Sequence, residues 1–261
     1  MRIPLYQIDA FADGPFTGNP AAVCPLDSWL PAETMQAIAA ENNLSETAFF
    51  VPEGDLYRLR WFTPSVEVDL CGHATLASAF IVLRYLEPGR DSVIFQTEKA
   101  GTLTVGRDGE DLALDFPAWP PLPCPISEAV AAALGRPPTA LLASRDYLAV
   151  YDREDEVATL SPDLAALAAL DRFAVIVTAP GTDGVDFVSR FFAPARGVPE
   201  DPVTGSAHCT LIPYWAERFG KSRLEARQLS KRGGRLSCGL HGNRVTIAGR
   251  AVLYLEGTIT I

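Results

Sequence analysis

The segment Tyr57-Arg-Leu-Arg60-Trp-Phe62-Thr-Pro64 returns as Phe187-Val-Ser-Arg190-Phe-Phe192-Ala-Pro194, about 130 residues further along the chain. Gly72-His-Ala-Thr-Leu is matched more loosely by Gly205-Ser-Ala-His-Cys-Thr-Leu, and each opens an apolar helical stretch. QTEKAGTL (96–103) is matched by QLSKRGGRL (228–236) with one residue inserted. Three matches in the same order at a nearly constant offset define two copies of one unit. A period of ~130 residues is too long for a solenoid, so each copy is a domain. The proline-rich FPAWPPLPCP (116–125) separates them, and its prolines cannot donate to a sheet ladder. The expected domains are therefore 1–118 and 119–261, with the last strand a candidate to return to the first domain.

Patterning fills in each copy. The first reads as a strand over Ile3–Phe11, a turn at DGPFTGNP, and a helix from Pro31 carrying Met35, Ile38 and Ala39 on one face. Strands 44–51 and 57–62, a helix from Gly72 to about Tyr85, and strands 93–97, 102–106 and 112–116 follow. The second copy repeats the pieces: strands 173–178 and 187–192, a helix over 205–219, and strands near 226–230, 235–239, 243–248 and 251–256. Each central helix (ATLASAFIVL, CTLIPYWAERF) is greasy around most of its circumference, which marks a buried helix. The expected class is α+β: two pseudo-symmetric domains, each of mainly antiparallel strands wrapped about one central buried helix. Small-molecule sites favour the meeting place of two such halves, so a cleft between them is expected.

Composition excludes several functions. The net charge of −10 argues against a nucleic-acid partner. There is no basic n-region ahead of an apolar h-region, and no apolar run near the ~20 residues of a membrane helix, so no membrane partner is expected. The five scattered cysteines form no CxxC pair, which fits reduced thiols and a cytoplasmic location. His73, His208 and His241 have no metal-ligand spacing with cysteines, and neither a GxGxxG nor a complete GxxxxGKT or GxxxxGKS phosphate loop exists. No metal and no cofactor are expected.

Glu46 stands out. Read with period two, Leu44, Glu46, Ala48 and Phe50 share one strand face, and a carboxylate among apolar neighbours needs a partner or a task. A strand end dipping into solvent is the plain alternative. The two buried helices open with VDLCGHAT (68–75) and EDPVTGSAH (200–208). Their first turns either are capped by Asp69, Cys71, Thr204 or Ser206, or leave backbone N–H groups for a small anion.

FTGNPAAV (16–23), NLSETAF (43–49), DLCGHAT (69–75) and EDPVTGSAH (200–208) resemble, in order and over nearly the whole chain, the PhzF-like family of phenazine-biosynthesis isomerases. The resemblance implies the diaminopimelate-epimerase fold, in which each of two like domains is a mainly antiparallel barrel around a central helix. It also implies a homodimer and a cofactor-independent isomerase that moves a proton within a small anionic substrate, a cyclic or amino carboxylic acid. Carried over by motif, the general acid/base glutamate falls on Glu46, with His73, Asp201 and Ser206 as its catalytic companions. Ser45, Gly72, Gly205 and Cys71 fall on the lining of the substrate pocket. Asp201 would hold the protonation state of His73 or bind a substrate amine.

Two other readings remain at this point. A two-thiol racemase on the same fold needs a base on each face of a carbon; Cys71 stands at the first helix, but the second helix offers Ser206, with Cys209 three residues further in. A non-catalytic small-anion-binding protein would keep the glycines and tolerate loss of the acid.

Overall fold

A computed structural model describes residues 1–261, which fall into two compact units: Met1–Asp115 with Ala248–Ile261, and Phe116–Ile247. The first contains β1 (Arg2–Ala10), β2 (Asn19–Pro25), α1 (Ala32–Asn42), β3 (Glu46–Glu53), β4 (Leu56–Phe62), β5 (Glu67–Val68), α2 (Gly72–Ile81), β6 (Ser92–Gln96), β7 (Thr102–Asp108) and β8 (Asp111–Pro117). The C-terminal strand Ala251–Thr260 lies antiparallel on β1. β1–β2, β3–β4, β6–β7 and β7–β8 pair antiparallel, while β2–β3 and β4–β6 pair parallel. Parallel neighbours need a crossover. Here α1 supplies the first and α2 the second.

The second unit contains β9 (Leu122–Cys124), α3 (Glu128–Leu134), β10 (Ala140–Ala143), β11 (Tyr147–Val150), α4 (Glu154–Ala158), α5 (Leu164–Ala168), β12 (Val175–Pro180), β13 (Phe187–Phe192), α6 (Gly205–Phe219), β14 (Arg223–Gln228), β15 (Gly234–His241) and β16 (Arg244–Gly249). From β10 to β15 the pairings run antiparallel, parallel, antiparallel, parallel, antiparallel, the same series as β1 to β7 without β5. β9 lies antiparallel on β10, as the C-terminal strand does on β1. The class is α+β with mixed sheets.

Every α2 side chain except that of Phe80 is buried, and the helix packs on β1, β2, β3, β7 and the C-terminal strand. α6 buries His208, Cys209, Leu211, Ile212 and Trp215. It ends at Gly220, whose φ of +66° lets the next N–H return to the Ala216 carbonyl. The repeated arginines do the same work in both units. Arg60 grips Glu67 with Nε and Nη2 and lies over Phe62; Arg190 grips Glu200 with the same two atoms and lies over Phe192.

Three expectations are corrected. The first central helix keeps α geometry only to Ile81, and Val82–Leu86 loosens into a π turn. The proline-rich connector holds a short strand, β9, which pairs with β10. β3 begins at Glu46, and Thr47, Ala48, Phe49 and Phe50 are all buried. Alternation therefore does not explain Glu46, because both faces of the strand are covered. No helix is long and apolar enough to cross a membrane.

Candidate active site

Three element starts converge in the first unit. Asn19 opens β2, Glu46 opens β3 and His73 stands in the first turn of α2. Parallel pairing sets Ala21 against Glu46, which brings the first two starts side by side. Gly18 makes the entry to β2 possible: its φ is +67°, and a Cβ there would stand 2.3 Å from the Ala10 carbonyl oxygen.

His73 Nε2 lies 3.0 Å from Glu46 Oε2, an ion-pair distance. Oε2 is buried and, apart from this contact with the imidazole, has no hydrogen-bond partner. A buried carboxylate oxygen with a lone pair to spare is what proton abstraction requires. On the other side of the ring, Asn19 Nδ2 lies 3.2 Å from His73 Nδ1, and Ser45 Oγ donates to Asn19 Oδ1 at 3.0 Å. A half-turn of the Asn19 amide would set its oxygen against a protonated Nδ1 and its nitrogen against Ser45 Oγ. Asn19 thus serves a neutral or a charged imidazole.

Cys71, the residue before α2, places Sγ 3.5 Å from His73 Nδ1. Burial, and then the Glu46 charge, push this thiol up to about 11, so it keeps its proton at neutral pH. Burial by itself would pull His73 down. Cys71 first and Glu46 second, through electrostatic attraction and hydrogen bonding, oppose burial and hold His73 well above its ordinary 6.5. The Glu46, Cys71 and His73 donor atoms lie within 4.8 Å of one another. Both ring nitrogens already face Glu46 and Asn19, so the arrangement is a hydrogen-bonding and ion-pair cluster, and no metal is assigned to it.

The remaining sequence candidates lie at the start of α6 in the second unit. Thr204, the residue before the helix, does not cap it; its hydroxyl donates to Asp201 instead. Gln228 fixes this turn by accepting from Thr204 N at 2.9 Å and donating to the Asp201 carbonyl at 2.8 Å. Gly205 is the first helical residue, and Ser206 Oγ accepts from Arg145 Nη2 at 3.3 Å. Neither Cys71 nor Thr204 makes a side-chain cap, so simple capping does not account for these two helix starts. His208, one turn into α6, donates from Nδ1 to the Thr204 carbonyl at 2.8 Å; burial lowers its pKa to about 4 and keeps it neutral.

Strand register shows that the acid is particular to one unit. Thr47 faces Phe62 as Val175 faces Phe192, so the position of Glu46 is taken by Ala174 in the second copy. The sequence reading missed Asn19 and Arg145. Asn19 stands inside FTGNPAAV and could have been noticed there; Arg145 carries no local signal.

Two like α+β units, one of which carries a buried carboxylate–imidazole pair, define the class. The phenazine biosynthesis-like protein model, PhzC-PhzF, matches residues 8–257. The chain belongs to this phenazine biosynthesis-like family. It is 54% identical over 259 residues to a Pseudomonas aeruginosa protein described as an uncharacterized isomerase, covering 99% of both chains. It superposes on the crystal structure of a PhzF-family protein from Enterococcus faecalis with a TM-score of 0.97 at 49% identity, covering all of both chains. The fold extends to a hydroxyproline epimerase of Agrobacterium vitis, with a TM-score of 0.60 at 12% identity, covering 99% of this chain and 92% of that one.

Proposed function

We propose that this protein is a cofactor-independent isomerase that moves a proton within a small carboxylic acid, with Glu46 as the single base. The observation that carries the reading is the buried Oε2 of Glu46 held 3.0 Å from His73, whose pKa is raised well above its ordinary value. The Glu46 carboxylate takes a proton from an acidic C–H, and the electron pair left behind spreads into the adjoining π system. The same carboxyl group then returns the proton to a different carbon of that system. His73, positive and desolvated, stabilises the negative charge that develops nearby. The family relationship and the isomerase descriptions of relatives support the class of reaction.

The thiol reading is weaker on physical grounds. A thiol raised to about 11 is a poor base at neutral pH, and Thr204 rather than a cysteine precedes α6 where Cys71 precedes α2. Asp201 and Ser206 are proposed to assist with substrate binding, as their motifs suggest. The test is a pair of variants assayed on a panel of unsaturated and amino carboxylic acids. Glu46→Gln keeps shape and loses basicity; turnover should fall by about 10²–10⁴-fold or more while substrate still binds. Cys71→Ala should retain most activity. Loss of turnover in Cys71→Ala together with an active Glu46→Gln would assign the chemistry to the thiol.

A further inference from the structure

Register places a second corner in the molecule at positions equivalent to the acid corner. β11 pairs with β12 as β2 pairs with β3, setting Tyr147 against Val175 as Ala22 is set against Thr47. Counting back two residues on each strand, Arg145 takes the position of Pro20 and Ser144 that of Asn19. Ser206 opens α6 where His73 opens α2, and Ala174 replaces Glu46. The corner that carries an acid in the first unit carries a guanidinium in the second.

That guanidinium is fixed on several sides. Asp146, a fully buried carboxylate, accepts from Arg145 Nε at 3.1 Å and from Nη2 at 3.0 Å. The guanidinium carbon lies 4.5 Å from the Phe173 ring centre and 5.1 Å from that of Trp119. Nη2 also reaches Ser206 Oγ, while Nη1 faces no protein acceptor and the side chain stays 34% exposed. A salt bridge with Asp146 would account for Nε and Nη2. It does not account for two aromatic rings holding the plane while two N–H donors stay open. Arg196 brings a second guanidinium to Phe173, at 4.9 Å, with no carboxylate of its own.

We propose that the Arg145–Ser206 corner is a carboxylate-binding site that fixes the acid group of a small, preferably planar, carboxylic acid. Nη1 and the Ser206 hydroxyl donate to the carboxylate, Arg196 adds long-range attraction, and Trp119 and Phe173 flank the bound group. The proposal rests on the reading that the substrate is a carboxylic acid, and it assigns that preference to a residue outside the acid corner.

The experiment titrates benzoate and its neutral counterpart benzamide, with succinate and glycine as further carboxylates. Binding is read by calorimetry and tryptophan fluorescence on the wild type, Arg145→Lys, Trp119→Phe and Glu46→Gln. Arg145→Lys keeps a cation against buried Asp146, so the fold is preserved while the planar fork is lost. Saturable carboxylate binding is expected, with a fluorescence change that disappears in Trp119→Phe, at least about tenfold weakening in Arg145→Lys, and little response to benzamide. Glu46→Gln, which keeps the shape of the side chain, should bind the carboxylates with little change. The proposal is overturned if none of the carboxylates binds saturably, if benzamide binds as well as benzoate, or if Arg145→Lys binds like the wild type. Binding lost in Glu46→Gln and kept in Arg145→Lys would overturn it too. Failure of the isomerase reading would appear instead as turnover surviving in Glu46→Gln, and would leave these binding results untouched.

Discussion

His73 and His208 stand one turn or less into the two central helices, and burial acts on them with opposite outcomes. His73 gains a carboxylate partner and its pKa rises well above 6.5; His208 gains only a backbone carbonyl, and its pKa falls to about 4. A group whose folded pKa is raised stabilises fully below its unfolded value, and that contribution is lost as pH climbs through the folded value. His73 should therefore favour the fold at pH 6.5 and below, and cease to do so on the alkaline side. A buried histidine whose pKa is depressed works the other way. His208 costs nothing above about 6.5 and progressively destabilises the fold down to about pH 4, by about 3 kcal/mol in all. Calorimetry from pH 4 to 9 should show wild type losing stability relative to His208→Asn on acidification. A His73→Asn difference should instead change only above pH 6.5. Parallel pH curves for wild type and His208→Asn would mean that His208 is not held neutral. At this scale the motifs pointed to Glu46 and His73, which the fold brings to within 3.0 Å of each other, and passed over Asn19 and Arg145. Asn19 stood inside FTGNPAAV without being singled out, Arg145 has no distinctive neighbour pattern, and strand register reveals what each faces.

Among the elements, α6 was legible from end to end because an all-round apolar run stops at a glycine in the left-handed region. β2 was not. Asn19–Pro25 is an almost unbroken apolar run beginning beside Gly18 and Pro20, so its turn-forming residues concealed a strand covered on both faces. The helices α3, α4 and α5 span only five to seven residues, too few to show a 3.6-residue period. The repeated arginines give an element-scale prediction. Arg60 pairs with a Glu67 that is 37% exposed, and such a pair contributes roughly 0–1 kcal/mol. Arg190 is more deeply buried and also donates from Nη1 to the carbonyls of Val157 and Leu160, which ties the end of α4 to β13. Arg190→Leu should cost about 2–4 kcal/mol in urea unfolding, against about 1 kcal/mol or less for Arg60→Leu. Equal losses would show that the carbonyl contacts contribute nothing.

For the whole molecule, the sequence repeat foretold the shared pairing series because aromatic-x-x-Arg-aromatic-Phe-x-Pro marks the same strand twice. It could not foretell how the copies diverged in chemistry. One copy keeps a carboxylate–imidazole pair and the other offers Ala174 beside a fixed guanidinium. That divergence is what the proposed single-base reaction rests on. A single base that takes and returns a proton on one face carries the substrate's own hydrogen into product. Two bases on opposite faces release it to water. The most direct measurement is single turnover, in ordinary water, of a turned-over carboxylic acid deuterated at the migrating position, with deuterium in the product read by mass spectrometry. Partial retention of deuterium in the wild type, with no turnover in Glu46→Gln, is the predicted result. Complete washout of deuterium, with turnover lost in Cys71→Ala and kept in Glu46→Gln, would contradict the account.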